Sequence, residues 1–227
     1  MIYMLDTANI EAIRKTLEFY PVDGVTTNPT IIAKENTDYK QLLKDIRKLV
    51  GNDRMLHVQT TSPYAEGMVQ EALALKEFVG GCFYAKIPAS EQGIKAMQIL
   101  KEKGIHITAT AIFTQQQALI SAKAGADFVA PYVNRLDNIS SDGVGVVTDI
   151  VSLFKTYNFE TKVLAASFKN AEQVHRISLG GAHSVTISPE LFESLLYHPL
   201  TNQSIADFTK DWEGVYGEGK SVLDLLK

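Results

Sequence analysis

Short apolar runs alternate regularly with longer amphipathic stretches along this chain. Parallel strands that are covered on both faces have a near-continuous apolar character, and eight runs show it: 2–5, 24–27, 55–59, 83–87, 106–110, 128–131, 163–166 and 184–187. Amphipathic stretches follow the runs and predict helices over 8–19, 38–49, 64–78, 91–102, 114–124, 142–157, 170–179 and 189–197. Eight strand–helix units predict an α/β fold, either a (β/α)8 TIM barrel or a doubly wound parallel sheet.

The turn after the first predicted strand favours the barrel. A doubly wound dinucleotide-binding fold needs a glycine-rich turn at this point, whereas this chain reads Asp6-Thr7-Ala8-Asn9 and has no glycine there. Asp6 and Thr7 are also candidate N-caps for the first helix, because carboxylate and hydroxyl oxygens accept from free backbone N–H groups.

A further helix is predicted after the eighth unit, over 201–216, where apolar residues recur at helical spacing: Ile205, Phe208, Trp212 and Val215. A chain of 227 residues fits one large α/β domain. We therefore predict a single (β/α)8 barrel domain over 1–227, in which 201–227 forms a C-terminal helical extension.

Composition excludes several classes of function. The net charge of −4 does not suggest a nucleic-acid partner. The single cysteine, Cys82, leaves no partner for a disulfide within the chain or for a cysteine-based zinc site. No apolar run approaches the roughly 20 residues that cross a bilayer, and the first residues do not read as a signal peptide. We expect a cytoplasmic protein with no membrane partner.

Lys86 lies in an apolar, strand-like run, where a charged ammonium is costly to bury unless it is paired or loses its proton. A neutral lysine is an amine nucleophile that can form a Schiff base with a carbonyl substrate. Alternation along the strand places Lys86 and Tyr84 on one face, which we predict to point into the barrel. Lys162 begins a strand instead, and we expect it at the opposite rim with its head group in water.

Polar side chains also stand at the carboxyl ends of the other strands, where active sites of such barrels lie. They are Asp6, Thr26, Thr27, Asn28, Gln59, Thr110, Tyr132, Asn134, Arg135, Ser167 and Thr186. Surface loops are also polar, so the informative feature is the mixture: one lysine among a carboxylate, amides and hydroxyls, with an arginine close by.

Several of these residues have a purely structural alternative. Lys86 could be ion-paired, or could extend its amine to solvent. Asp6 could only cap a helix, and residues 26–28 could form a simple turn before a proline. Gln59 and Thr110 could be interior polar groups satisfied by the barrel itself.

Two further alternatives concern charged or metal-binding groups. Arg135 and Asp137 could form an exposed ion pair of little consequence. His57 lies among apolar residues, and no pair of histidines has ligand spacing, so a core histidine is favoured over a metal ligand. We expect no metal site and no cofactor.

Six ordered motifs resemble the small transaldolase family over essentially the whole chain: Asp6-Thr7-Ala8, the run Gly24-Val25-Thr26-Thr27-Asn28-Pro29, Ala65-Glu66-Gly67-Met68, Lys86-Ile87-Pro88, the run Ala130-Pro131-Tyr132-Val133-Asn134-Arg135, and Ala165-Ala166-Ser167-Phe168. The resemblance implies a class I, Schiff-base enzyme on a (β/α)8 barrel. It assigns the Schiff base to Lys86, proton transfer to Asp6, the donor portion of the substrate to Asn28, and the substrate phosphate to Arg135 and Ser167.

The resemblance is nearer to the aldolase branch of that family. Transaldolases have a glutamate where Gln59 stands and Ser-x-Phe where this chain reads Ala130-Pro131-Tyr132. In the aldolase branch, the residues that match Gln59, Thr110 and Tyr132 hold the catalytic water, and we include Thr26 among the substrate-binding residues. The chain departs from the branch over 60–64 and by one inserted residue near Gly80.

The resemblance implies cleavage or formation of fructose 6-phosphate from dihydroxyacetone and glyceraldehyde 3-phosphate. The alternatives are a transaldolase that passes dihydroxyacetone between sugar phosphates, and a non-catalytic barrel that binds a sugar phosphate. The expected partners are small sugar phosphates, dihydroxyacetone and further copies of this chain, in pentameric rings that pair into decamers.

Overall fold

Eight parallel strands close into a barrel in chain order in the computed structural model, which describes residues 1–227. The strands are β1 (Ile2–Asp6), β2 (Gly24–Thr26), β3 (Met55–Gln59), β4 (Phe83–Pro88), β5 (His106–Ile112), β6 (Phe128–Pro131), β7 (Lys162–Ala165) and β8 (Ser184–Ile187). The barrel closes where β1 pairs with β8. The predicted (β/α)8 fold is confirmed.

The helices alternate with these strands. They are α1 (Ile10–Phe19), α2 (Pro29–Lys34), α3 (Tyr39–Val50), α4 (Ala65–Val79), α5 (Glu91–Glu102), α6 (Gln115–Lys123), α7 (Val133–Asp137), α8 (Gly143–Thr156), α9 (Ala171–Leu179), α10 (Pro189–Leu196), α11 (Pro199–Tyr216) and α12 (Val222–Leu225). Every predicted helix is present. The sequence did not predict α2, α7 and α12, because a helix of one or two turns is too short to show a periodic apolar stripe.

Asn9, and neither Asp6 nor Thr7, caps the first helix. The Asn9 side chain accepts a hydrogen bond from the backbone N–H of Ala12 at 2.9 Å, which is the usual N-cap contact. The predicted cap at Asp6 and Thr7 is therefore wrong, because Asp6 still belongs to β1 and α1 begins two residues later than expected. The carboxylate of Asp6 is therefore not used as a helix cap and can face the barrel interior.

The two ends of the barrel interior differ in character. Met4, Phe128 and Leu164 form an apolar cluster, against which Tyr84 packs. Lys86 follows two residues after Tyr84 on the same strand and is 5% exposed, so the predicted shared face is confirmed. Lys162 begins β7 and is exposed, also as predicted. The polar chemistry therefore gathers at the carboxyl ends of the strands.

The chain divides into two compact units, Met1–Phe192 and Glu193–Lys227. In the second unit, Trp212 packs against Tyr216 with ring centroids 4.4 Å apart, and its indole N–H donates to the carbonyl of Lys220 at 2.7 Å. Ile205 and Phe208 of α11 are 58% and 70% exposed. The single-domain organisation over 1–227 stays a prediction. None of the helices combines the length and apolar character needed to cross a bilayer.

Candidate active site

A cavity of about 120 Å³ opens where the carboxyl ends of the strands meet. It contains eight of the nine residues that the sequence assigned to a site. Its lining consists of Asp6, Thr26, Asn28, Lys86, Thr110, Ala130, Tyr132, Arg135, Leu164, Ala166, Ser167 and Thr186. Strands far apart in the chain thus bring one lysine, one carboxylate, one arginine and several hydroxyls to a single small space.

Lys86 is buried in this cavity without a carboxylate partner. Its amine donates to the backbone carbonyl of Thr27 at 2.8 Å, and it forms no ion pair. The ion-paired and solvent-reaching alternatives are therefore wrong. Burial lowers the pKa of Lys86, and the negative charge of Asp6 opposes that shift. A carbonyl oxygen carries no formal charge to offset an ammonium, so the amine loses its proton more readily here than in water.

The lowered pKa of Lys86 predicts the pH dependence of Schiff-base formation. The reactive form is the deprotonated amine, which predominates above the pKa, so a lowered pKa extends the reaction to lower pH. We expect the rate of borohydride trapping with dihydroxyacetone to fall, as pH decreases, through a pKa below the ordinary lysine value of about 10.4. A trapping rate that is half-maximal only near that ordinary value would contradict the prediction.

Asp6 is held by a chain of hydroxyls across the seam of the barrel. The hydroxyl of Thr26 donates to Oδ1 of Asp6 at 2.8 Å, and the oxygens of Thr26 and Thr186 lie 2.6 Å apart. Asp6 and Thr26 are also paired in register between β1 and β2. One carboxylate oxygen is thereby fixed by the barrel. Thr186 was not among the catalytic and substrate-binding residues that we predicted from the sequence. Its position at the end of β8, beside β1 in a closed barrel, could have identified it as a site residue.

Thr110 and Tyr132 form a second hydroxyl pair in the cavity, between β5 and the residue after β6. Their hydroxyl oxygens are 3.1 Å apart. Thr110 is fully buried, and the Tyr132 ring packs edge-on against Phe113 at 5.4 Å. Two hydroxyls at this separation, both lining the cavity, can together hold one water molecule.

Arg135 of α7 lies at the rim of the cavity. Its guanidinium carbon is 4.9 Å from the centre of the Tyr132 ring. The alternative of an ion pair with Asp137 is wrong, because the Asp137 carboxylate accepts from the side chain of Gln173 at 2.6 Å and from the backbone of Gly143 at 2.9 Å. The positive charge of Arg135 is therefore available to bind an anion.

Ser167 stands beside α7 because of a backbone contact. Its carbonyl accepts the N–H of Asn134 at 2.7 Å, which ties the end of β7 to the first turn of α7. The Ser167 backbone is left-handed, with φ of +62°, a conformation that costs energy for a residue with a side chain. The hydroxyl of Ser167 and the guanidinium of Arg135 line the same cavity.

Asn28 joins the site to a second cavity. Its side-chain oxygen caps α2 by accepting from the N–H of Ile31 at 3.0 Å, so only its NH2 group can donate to a bound molecule. The alternative of a simple turn at 26–28 is therefore wrong, because these residues form a strand end followed by a helix cap. Asn28 also lines a cavity of about 990 Å³ between β2, β3 and the helices that follow them.

Gln59 is the site residue that the small cavity does not include. It is paired in register with Lys86 between β3 and β4, yet it lines the larger cavity together with Asn28. Its predicted contact with a water at Thr110 and Tyr132 stays a prediction.

His57 is a core histidine, as predicted. It is fully buried, its Nδ1 lies 2.8 Å from the hydroxyl oxygen of Thr108, and its ring stacks on Tyr84 at 4.5 Å. Burial lowers the pKa of His57 well below its ordinary value, and Lys86 lowers it further whenever its amine is protonated. A neutral imidazole therefore lies beneath the lysine.

Comparison with known proteins identifies relatives over nearly the whole chain. The family model described as transaldolase/fructose-6-phosphate aldolase matches residues 3–219. A probable fructose-6-phosphate aldolase of Streptococcus pneumoniae is 39% identical over 213 residues, which cover 93% of this chain and 96% of the relative. A probable transaldolase of a Hydrogenobaculum species is 43% identical over 215 residues, covering 95% and 98%.

A solved structure described as "Native KDPGal structure" shares the fold. It has a TM-score of 0.59 at 15% identity and covers 94% of each chain.

Proposed function

Because this chain belongs to the transaldolase/fructose-6-phosphate aldolase family of enzymes, we propose that it is a class I aldolase that cleaves and forms fructose 6-phosphate. The products of cleavage are dihydroxyacetone and glyceraldehyde 3-phosphate. The main support for the proposal is the buried Lys86 amine, which forms no ion pair. It shares one cavity with Asp6 and the hydroxyl pair of Thr110 and Tyr132.

The first stage uses Lys86 and Asp6. The neutral amine attacks the ketone carbon, and loss of water leaves an iminium that can accept the electrons of the C3–C4 bond. Asp6 takes the proton of the C4 hydroxyl as that bond breaks. Glyceraldehyde 3-phosphate leaves, a neutral enamine remains on Lys86, and Asp6 holds one proton.

The second stage decides between an aldolase and a transferase. The enamine carbon must regain a proton before water can hydrolyse the iminium and release dihydroxyacetone. A water held by the hydroxyls of Thr110 and Tyr132 supplies that proton and recovers one from Asp6, so the carboxylate is regenerated. Asn28 donates to the hydroxyls of the bound three-carbon unit, with Thr26 nearby.

Arg135 and Ser167 form the phosphate end of the site in this proposal. The planar guanidinium can bind two phosphate oxygens at once, and the serine hydroxyl can donate to a third. Both line the cavity that contains Lys86, so a phosphate bound there leaves the carbonyl of a six-carbon sugar phosphate within the barrel. Gln59 is proposed to complete the water site.

A transaldolase reaction is the second candidate. The observation that favours it is the position of Gln59, which lines the larger cavity and not the one shared by Thr110 and Tyr132. With the water held by two hydroxyls alone, the enamine could survive long enough to attack a second aldehyde.

The two activities are separated by their products. With fructose 6-phosphate alone, we expect equal amounts of glyceraldehyde 3-phosphate and free dihydroxyacetone, because water protonates the enamine. With erythrose 4-phosphate added, free dihydroxyacetone should still be the main three-carbon product. Stoichiometric sedoheptulose 7-phosphate without free dihydroxyacetone would assign the chain as a transaldolase. Product analysis by NMR measures both.

The proposed partner is a second copy of this chain, in homo-oligomers built from pentameric rings that pair into decamers. The exposed apolar side chains of α11, including Ile205 and Phe208, support self-association, and the ring size rests on the family resemblance.

A further inference from the structure

β5 carries one extra residue directly beside the water site. On the side of β6, the register runs Ala109 with Val129 and then Ile112 with Pro131, so three steps of β5 oppose two steps of β6. On the side of β4, pairing is regular up to Thr110. The shift on the β6 side lies between Ala109 and Ile112, as a β-bulge that bends one edge of the strand.

Ala111 is the residue at which the backbone turns. Its φ is +56°, in the left-handed region that residues with a Cβ rarely adopt. Glycine, asparagine and aspartate tolerate this region, whereas β-branched residues resist it. A left-handed alanine inside a strand is maintained only where the surrounding structure determines it, and such residues cluster at functional sites.

The bulge is flanked by three contacts to the same tyrosine, one before it and two after it. Before Ala111, the Thr110 hydroxyl meets the Tyr132 hydroxyl at 3.1 Å. After it, the carbonyl of Ile112 accepts the backbone N–H of Tyr132 at 3.1 Å, and the ring of Phe113 packs on the Tyr132 ring. The left-handed turn at Ala111 therefore brings the end of β5 to both the backbone and the hydroxyl of Tyr132.

A regular strand would not give this arrangement. Without the extra residue, each residue of β5 after Thr110 would shift by one position relative to β6. The Ile112 carbonyl would then no longer lie opposite the backbone N–H of Tyr132. The separation of the two hydroxyls thus depends on the conformation of a residue that does not line the cavity.

We infer that Ala111 is a positioning residue, whose left-handed conformation sets the Thr110–Tyr132 hydroxyl pair and so controls how fast water protonates the enamine. The inference rests on the proposed Schiff-base function and adds a determinant of the choice between hydrolysis and transfer. Ala111 itself is not one of the residues that line the cavity of Lys86.

The test compares substitutions of similar size with opposite backbone preferences. Ala111→Val resists positive φ, and Ala111→Asn accepts it; Ala111→Gly removes the Cβ and keeps the conformation. The measured quantity is the rate at which each protein exchanges the carbon-bound protons of dihydroxyacetone for deuterium in D2O. Exchange reports proton transfer between the iminium and the enamine, which is the step of enamine protonation and its reverse. Borohydride trapping on Lys86 in each variant reports whether the iminium still forms.

We expect Ala111→Val to slow exchange between about ten- and a hundredfold, the range expected for a displaced catalytic group, with trapping on Lys86 retained. Ala111→Asn and Ala111→Gly should exchange at close to the wild-type rate. Exchange that is equally slow for valine and asparagine, or unchanged for valine, overturns the inference. If the valine variant does not fold, Ala111→Thr, which is also β-branched but smaller in its apolar surface, replaces it with the same expected order.

The outcome is separable from that of the proposed function, because exchange needs neither sugar phosphate nor acceptor. A wild-type protein that exchanges protons but transfers all of its dihydroxyacetone refutes the aldolase activity, and the comparison of valine with asparagine still decides on Ala111.

Discussion

Replacing Lys86 with methionine is expected to abolish cleavage of fructose 6-phosphate, with a loss of about 10⁶-fold, the scale found when an enzyme loses its covalent nucleophile. Methionine has a similar length and no charge, so it fits the buried site of Lys86. Since an amine is costly to bury, we also expect the thermal midpoint of the variant to be equal to or above that of the wild type. Activity measurement and calorimetry on the same sample check both results.

Lys162→Met is the matched control for this prediction. Lys162 also belongs to a strand, but it is exposed at the first residue of β7, remote in register from the carboxyl ends of the strands. Its replacement should leave activity close to the wild-type level. Measurable Schiff-base chemistry in Lys86→Met, or equal losses in the two variants, would contradict the assignment.

Asp6→Asn is expected to lower the rate of cleavage by about 10²- to 10⁴-fold, the usual contribution of a general acid or base. Asparagine keeps the shape of the side chain and can still accept from the hydroxyl of Thr26, but it cannot take a proton. Because Lys86 and the phosphate end are unchanged, borohydride trapping with dihydroxyacetone should persist while carbon–carbon cleavage fails.

Asp38→Asn provides the same chemical change away from the site. Asp38 caps α3 by accepting from the N–H of Gln41 at 2.8 Å, and asparagine caps helices equally well. Cleavage by this variant should match that of the wild type. If Asp6→Asn retained full cleavage, another group would have to remove the C4 hydroxyl proton.

The barrel itself was predictable from the sequence, because parallel strands buried on both faces and amphipathic helices leave separate periodic signals. The short helices were not. α7 carries Arg135, yet its five residues, Val133–Asp137, are too few to show a period. The face of Lys86 was predictable for a similar reason, because Lys86 and Tyr84 share a face in any regular strand.

Contacts between residues far apart in the chain could not be predicted from the sequence. Asp6 had two plausible partners, a helix end and the barrel interior, and only the closed geometry assigns its oxygen to Thr26. Gln59 pairs in register with Lys86, but its side chain lines the neighbouring cavity. The bulge at Ala111 leaves no signal in composition, since alanine at positive φ is a consequence of the surrounding packing.

The most direct test of the central claim is a trapping experiment with the full-length wild-type protein. Borohydride is added in the presence of dihydroxyacetone, and the protein is digested and mapped by mass spectrometry. We expect one reduced three-carbon adduct per chain, located on Lys86, and none when dihydroxyacetone is omitted. An adduct on another lysine, or no adduct at all under conditions in which the protein cleaves fructose 6-phosphate, would contradict the claim.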